Sequence, residues 1–166
     1  MIKNKKILVI VKFLAIYLGI IALYYIFISW ENNPVMSVYI DATSYLSGFI
    51  INIFDSSVIT NKQIIAGKSF NMILSFGCEG SEPLAVFFAG IMAFPSAFKS
   101  KIIGLSYGLP ALYLLNIIRI ILLYIIGNNA PMIFDITHTT IFPVIFIVIA
   151  LSLWMLWIKR ISQKSS

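Results

Sequence analysis

Four stretches of the chain are apolar almost without interruption: Ile7 to Ser29, Pro83 to Ala97, Ile102 to Ile126 and Thr137 to Ile158. A helix rises about 1.5 Å per residue and a bilayer's hydrocarbon core is about 30 Å thick, so about 20 such residues make one crossing. The pattern predicts an all-α polytopic membrane protein, one integral membrane domain over residues 1–166, with spans at 7–29, 81–98 (flanks included), 102–126 and 137–158. The first run is too long for a signal-peptide core and no small-x-small cleavage site follows it, so it is read as an uncleaved span.

Residues 35–54 are long enough to cross but carry Ser37, Asp41, Ser44, Ser47, Gly48 and Asn52. Val35, Val38, Tyr39, Ala42, Tyr45, Leu46, Phe49, Ile50 and Ile53 recur at helical spacing on one side, whereas Ser37, Asp41, Ser44 and Asn52 fall largely on the other. A helix so divided belongs at the membrane surface, so an interfacial amphipathic helix is expected here. Beyond it, Phe70, Met72, Leu74 and Phe76 alternate with Asn71, Ile73 and Ser75, and Ala66-Gly67-Lys68 supplies a turn after Ile64-Ile65. That predicts a short extracytoplasmic β-ribbon within 57–77. A loop from Gly127 to Ile136 closes the last two spans.

Composition excludes a soluble enzyme: 60% of residues are hydrophobic and 11% charged, against about 25% charged in soluble domains. The 12 Lys and Arg over 6 Asp and Glu give a net charge of +6. In a soluble chain this would suggest nucleic acid; here the basic residues stand at span ends, where they set topology. With four crossings, nine flanking Lys and Arg face the cytoplasm, Lys3, Lys5 and Lys6 among them, and only Lys62 and Lys68 lie outside; a fifth crossing at 35–54 would divide them six against five. Both termini are therefore expected in the cytoplasm. Trp154 and Trp157, just before Lys159-Arg160, suit an interfacial aromatic belt.

Three side chains then stand out at the outer ends of the spans. Cys78 is the sole cysteine, so it is an inert small hydrophobe, an intermolecular partner or a reagent. Pro83 is tolerated only in a first helical turn, which starts a helix near Ser81 or Glu82 and puts Cys78 just beyond N–H groups that favour a thiolate. Glu79 and Glu82 oppose ionisation, so a nearby cation is required. Arg119 lies inside the third span, about eight residues or ~12 Å from its outer end. An arginine at such depth costs on the order of 2.5–3.5 kcal/mol on insertion scales, so it snorkels, pairs structurally with Glu82 or serves a function. Asn116, one turn earlier, shares its face. His138, the sole histidine, opens the fourth span, with Asp135 or Thr137 as its N-cap; alone it is compatible with a bland interfacial role. Connectivity, however, brings the three to one layer. Cysteine attack on a carbonyl needs a thiolate, a proton shuttle and a donor for the oxyanion, and Cys78, His138 and Arg119 are of those types.

In this order and spacing, Cys78-Glu79-Gly80, Asn116-Ile117-Ile118-Arg119 and His138 resemble the exosortase/archaeosortase membrane transpeptidases. Their core carries a Cys-x-Gly motif at a span start, an Asn-x-x-Arg motif in a later span and a histidine opening the next. The resemblance runs from Ile59 to Trp157, and the chain looks like a compact, core-only member. It implies cleavage of a C-terminal sorting signal (short motif, membrane helix, basic tail) on exported proteins at the extracytoplasmic side of the cell membrane. Transfer to an acceptor follows, with lipid and glycan both open. Cys78 would form the thioester, His138 carry protons, and Arg119 stabilise the oxyanion or hold the thiolate. Glu79, Gly80, Glu82, Asn116 and Asp135 would support the site or bind substrate, Glu79 standing where many relatives have a small residue. Exported proteins and the bilayer are the partners implied, without nucleic acid, cofactor or metal. Three other readings stand beside this one. They are a non-enzymatic scaffold or assembly subunit with Arg119 paired to Glu82, lipid or acyl transfer by the same cysteine chemistry, and a metal hydrolase using Cys78, His138 and Glu79 or Glu82. The last has neither a His-x-x-x-His nor a Cys-x-x-Cys spacing to support it.

Overall fold

The structure, a computed structural model, describes residues 2–30, 33–75 and 77–164, with side chains from Lys6 to Gln163. The side chains of Lys3 and Lys5 in the basic flank, and Phe76 of the predicted ribbon, lie outside the described residues.

The elements are α1 (Ile2–Ile28), α2 (Pro34–Asn52), β1 (Ile59–Asn61), β2 (Ile64–Ala66), β3 (Asn71–Ile73), α3 (Ser81–Ala93) and α4 (Phe98–Asn129). A continuous helical run follows: a 3-10 turn (Pro131–Ile133), a single α turn, α5 (Phe134–Ile136), a π turn (Thr137–Ile141) and α6 (Phe142–Lys164). Among the described residues, three helical stretches are long and apolar enough to cross a membrane, Lys6–Ile28, Phe98–Asn129 and Pro131–Gln163, and α3 is a shorter apolar helix. This is an all-α polytopic membrane protein with a small three-stranded antiparallel sheet in the order β1-β2-β3. At 13 residues α3 is shorter than the 81–98 read from the sequence. It stops before Pro95, whose ring excludes the helical conformation from the residue preceding it.

The chain forms two compact units. The first comprises Met1–Glu31, Glu82–Leu112 and Ile147–Ser166. Here α1 exposes Leu8, Ile16, Leu18, Leu23 and Ile26, as a helix surrounded by lipid does. Phe94 packs edge-on against Trp154 and Trp157. Trp157 was expected in an interfacial belt, but it is only 1% exposed. Its Nε1 donates to the Ser100 carbonyl at 2.9 Å, and the indole fills the space left open at Gly104, where a Cβ would collide with it. An indole with an internal acceptor has no need of the interface.

The second unit comprises Asn32–Ser81 and Tyr113–Phe146 and contains α2, the sheet, the latter part of α4 and the turns that follow it. Asn33 Oδ1 accepts from the Val35 and Met36 N–H groups and Pro34 takes the first helical position, so α2 starts cleanly. The helix is two-sided, but the inward side is a mixture of small and apolar residues that includes Met36, Ile40 and Ile51, and of the expected polar side Ser44 is buried while Ser37 and Asn52 are exposed. Thr43, Ser44, Ser47 and Gly48 are buried, whereas Val35, Val38, Phe49 and Ile53 are 60–70% exposed. Small residues let the helix approach closely: Gly48 abuts Thr60 of β1, and the Thr43 hydroxyl lies 3.4 Å from that of Tyr113. The core of this unit gathers Ile40 and Ile51 from α2, Ile65, Met72 and Leu74 from the sheet region, and Ile120, Leu123 and Tyr124 from α4. Tyr124 also donates to Asp55 Oδ2 at 2.9 Å, tying α4 to the loop after α2.

Candidate active site

The segment from β3 to α3 is shaped by two glycines with positive φ, Gly77 at 88° and Gly80 at 81°, a backbone state that side chains resist. Between them the chain turns, the Cys78 N–H donating to the Ser75 carbonyl at 3.0 Å, and α3 starts at Ser81 as Pro83 requires. Cys78 thus stands, half-buried, just ahead of a helix N-terminus.

His138 reaches it from the π turn, a local widening of the helix that is rare and often found at functional positions. Cys78 Sγ and His138 Nε2 are 2.9 Å apart. The thiol can donate to a ring nitrogen placed there, provided the other ring nitrogen carries the proton. The imidazole stacks on Phe134, one turn earlier, with ring centres 5.8 Å apart. Neither Asp135 nor Thr137 is the N-cap that the sequence had led one to expect. The helical run already begins at Pro131, so both lie inside it; Thr137 Oγ1 donates back to the Ile133 carbonyl and the Asp135 carbonyl accepts from Thr139. The charge of Asp135 nonetheless reaches the ring, as does that of Arg119.

Arg119 is 6% exposed, and its guanidinium lies over the Phe146 ring, 5.8 Å from the centroid. Its charge acts on both Cys78 and Glu79. Its Nε is buried and makes no hydrogen bond, so one donor of the fork remains uncommitted. Asn116, one turn earlier, donates through Nδ2 to the Glu79 carbonyl at 2.5 Å, and the Tyr39 hydroxyl donates to the same oxygen at 3.2 Å. Gly80 faces the Asn116 amide so closely that a Cβ would overlap it. The Glu79 side chain is buried at 1% exposure; Oε1 accepts from Ser81 Oγ at 2.5 Å and Oε2 has no hydrogen-bond partner. A buried carboxylate left half-satisfied is costly unless opposite charge is near, and Arg119 supplies it.

Six of the residues singled out from sequence, Cys78, Glu79, Gly80, Asn116, Arg119 and His138, therefore form one connected cluster, with Asp135 acting on it through charge. Glu82 falls in the other unit, where it accepts a 2.7 Å bond from Tyr25. Sequence reasoning did not select Tyr39, Ser81, Phe134 or Phe146. Phe134 was visible as an aromatic four residues before the histidine, and Ser81 as a hydroxyl two residues after Glu79. Nothing local marks Tyr39 or Phe146. Beside Cys78 and His138 opens a cavity of about 340 Å³, walled by β3 and by Ile120, Leu123 and Phe134. Among the described residues, no group of three or more His, Cys, Asp or Glu is placed to hold a metal ion.

Residues 9–155 match the family model described as "Transmembrane exosortase (Exosortase_EpsH)". No curated protein and no solved structure matches the chain.

Proposed function

The chain belongs to the transmembrane exosortase family, and from that premise we propose that it is a membrane-embedded cysteine transpeptidase that cleaves the C-terminal sorting signal of exported proteins and passes them to an acceptor. The observation that carries this reading is the 2.9 Å approach of Cys78 Sγ to His138 Nε2.

In the proposed reaction His138 Nε2 takes the thiol proton and the Cys78 thiolate attacks the scissile carbonyl carbon. The oxyanion that develops draws on Arg119, whose uncommitted Nε–H and full charge suit an anion in a buried site. The C–N bond breaks as His138 returns the proton to the leaving amine, and a thioester remains on Cys78. An acceptor nucleophile then gives its proton to His138, attacks the thioester and releases the thiolate, which recovers its proton. Asn116 and Gly80 are positioning residues: they hold the Cys78 turn against the helix that carries Arg119. The protein sits in the cell membrane with both termini cytoplasmic and the site on the extracytoplasmic side, in keeping with the distribution of Lys and Arg.

The test is direct. A secreted protein encoded beside this one, ending in a short motif, an apolar helix and basic residues, is expected to accumulate as a hydroxylamine-sensitive thioester on Cys78 when acceptor is withheld. Unchanged processing by Cys78→Ala would sink the proposal and leave the scaffold reading. A trapped fatty acyl group in place of peptide would redirect it to acyl transfer.

A further inference from the structure

We propose that the free edge of β3 binds the extended part of the substrate preceding the scissile bond as a fourth strand of the sheet, with an apolar substrate side chain in the adjoining cavity. This rests on the transpeptidase reading and adds to it how substrate is held.

The sheet order leaves β3 at an edge, and no strand among the described residues pairs with its outer side. Its register against β2 sets Ile73 opposite Ile64, Met72 opposite Ile65 and Asn71 opposite Ala66. The Leu74 N–H donates to the Gln63 carbonyl at 2.8 Å and the Phe70 carbonyl accepts from Gly67 at 3.1 Å. Backbone direction alternates along an antiparallel strand, so Phe70, Met72 and Leu74 turn their polar groups to β2 while Asn71 and Ile73 aim theirs outward. Proteins usually blunt such an edge with proline, lysine or a bulge, because it will recruit any extended chain. The run Asn71-Met72-Ile73 has neither proline nor charge. An edge left open next to a nucleophile suits peptide capture by strand addition.

The same strand borders the cavity. At about 340 Å³ it stands at the small end of ligand pockets, with Met72, Leu74, Ile120 and Leu123 as apolar lining and Cys78 and His138 at its wall. A chain paired with Asn71 and Ile73 would have alternate side chains directed toward this lining, its carbonyl carbon advancing on Sγ. The occupant is the stretch before the cleavage point, not the membrane helix after it. A helix satisfies its own backbone groups and has none to offer an edge.

The test uses the full chain in detergent and two thiol-directed probes: a tripeptidyl chloromethyl ketone with apolar side chains, and its counterpart with N-methylated backbone amides. Mass spectrometry follows alkylation of Cys78, in which the thiolate displaces chloride, and each rate is divided by that of iodoacetamide on the same protein. On the wild type the unmethylated probe is expected to react about tenfold faster, the effect of losing one or two net hydrogen bonds. Ile73→Pro removes only an outward N–H and should bring the two probes together, whereas Ile73→Ala should keep them apart. Equal normalised rates for the two probes on the wild type overturn edge pairing, even when His138→Ala still slows both. Unnormalised rates, that of iodoacetamide included, that are unchanged by His138→Ala overturn the transpeptidase reading itself, and the proposal with it.

Discussion

Asn116 occupies the space that a side chain at residue 80 would need, and its Nδ2 holds the Glu79 carbonyl at 2.5 Å. Two motifs far apart in the chain are thereby one structure. Gly80 is two residues from Cys78 and Asn116 is one turn from Arg119, so their contact ties the turn that carries the thiol to the helix that carries the guanidinium. Gly80→Ala meets both a positive φ of 81° and the amide. It is expected to leave the protein inserted in the membrane but to slow substrate processing by about a hundredfold, the usual consequence of a misplacement near 1 Å. Quantitative processing assays normalised to protein level in membranes would measure this.

The contact between Cys78 and His138 predicts that His138→Ala slows thioester formation by about 10²–10⁴, the range for loss of a general acid–base. Single-turnover kinetics with a trapped acyl-enzyme report that step alone. Formation at the wild-type rate would mean that the 2.9 Å approach activates nothing.

Arg119→Lys keeps the charge and loses the planar fork, including Nε and the flat contact with Phe146. We expect kcat to fall by about 10²–10³ with KM little changed, as when a single oxyanion donor is lost. A rise in KM at constant kcat would instead assign Arg119 to ground-state binding.

Asp55 is held below the ordinary carboxylate value of 3.8, first by the Ser57 hydroxyl and then by that of Tyr124. A carboxyl with a depressed folded-state pKa lends stability that is complete above its unfolded value and lost as pH falls through the folded one. Thermal unfolding in detergent should therefore be insensitive to this group from neutral pH down to about pH 5, and should weaken only below about pH 4. Tyr124→Phe is expected to reduce that acid-side fall, which a pH series of melting curves would show.

The proposed orientation predicts that, in sealed vesicles, a membrane-impermeant maleimide labels Cys78 only when it is added on the extracytoplasmic side. Labelling confined to the cytoplasmic side would reverse the assignment of both termini.

Much of this was legible residue by residue. Long apolar runs declare membrane helices because the bilayer asks only for length and hydropathy, and Pro83 marks the start of α3 because a proline has so few places in a helix. The alternation from Phe70 to Leu74 foretold β3, although β1 at Ile59–Asn61 completes a sheet where only a ribbon was expected. Cys78, Arg119 and His138 were picked out by chemical type and by their place along the spans.

Packing decided the rest. Periodicity divided α2 into two sides, but which side meets protein depends on neighbours brought from Thr60 and Tyr113. There the strip of small residues Thr43, Ser44, Ser47 and Gly48 went inward together with Ile40 and Ile51, because small side chains allow close approach. Trp157 left the expected belt because a glycine and a carbonyl 53 and 57 residues away accept it. The helical run around His138 starts too early for Asp135 to cap it. By itself, then, the sequence determined the membrane fold and the kinds of side chain available for chemistry, since both follow from local pattern. Only the tertiary structure decided that a thiol and an imidazole meet at 2.9 Å beside a buried guanidinium. A distance between residues 60 positions apart in the chain is set by everything packed between them.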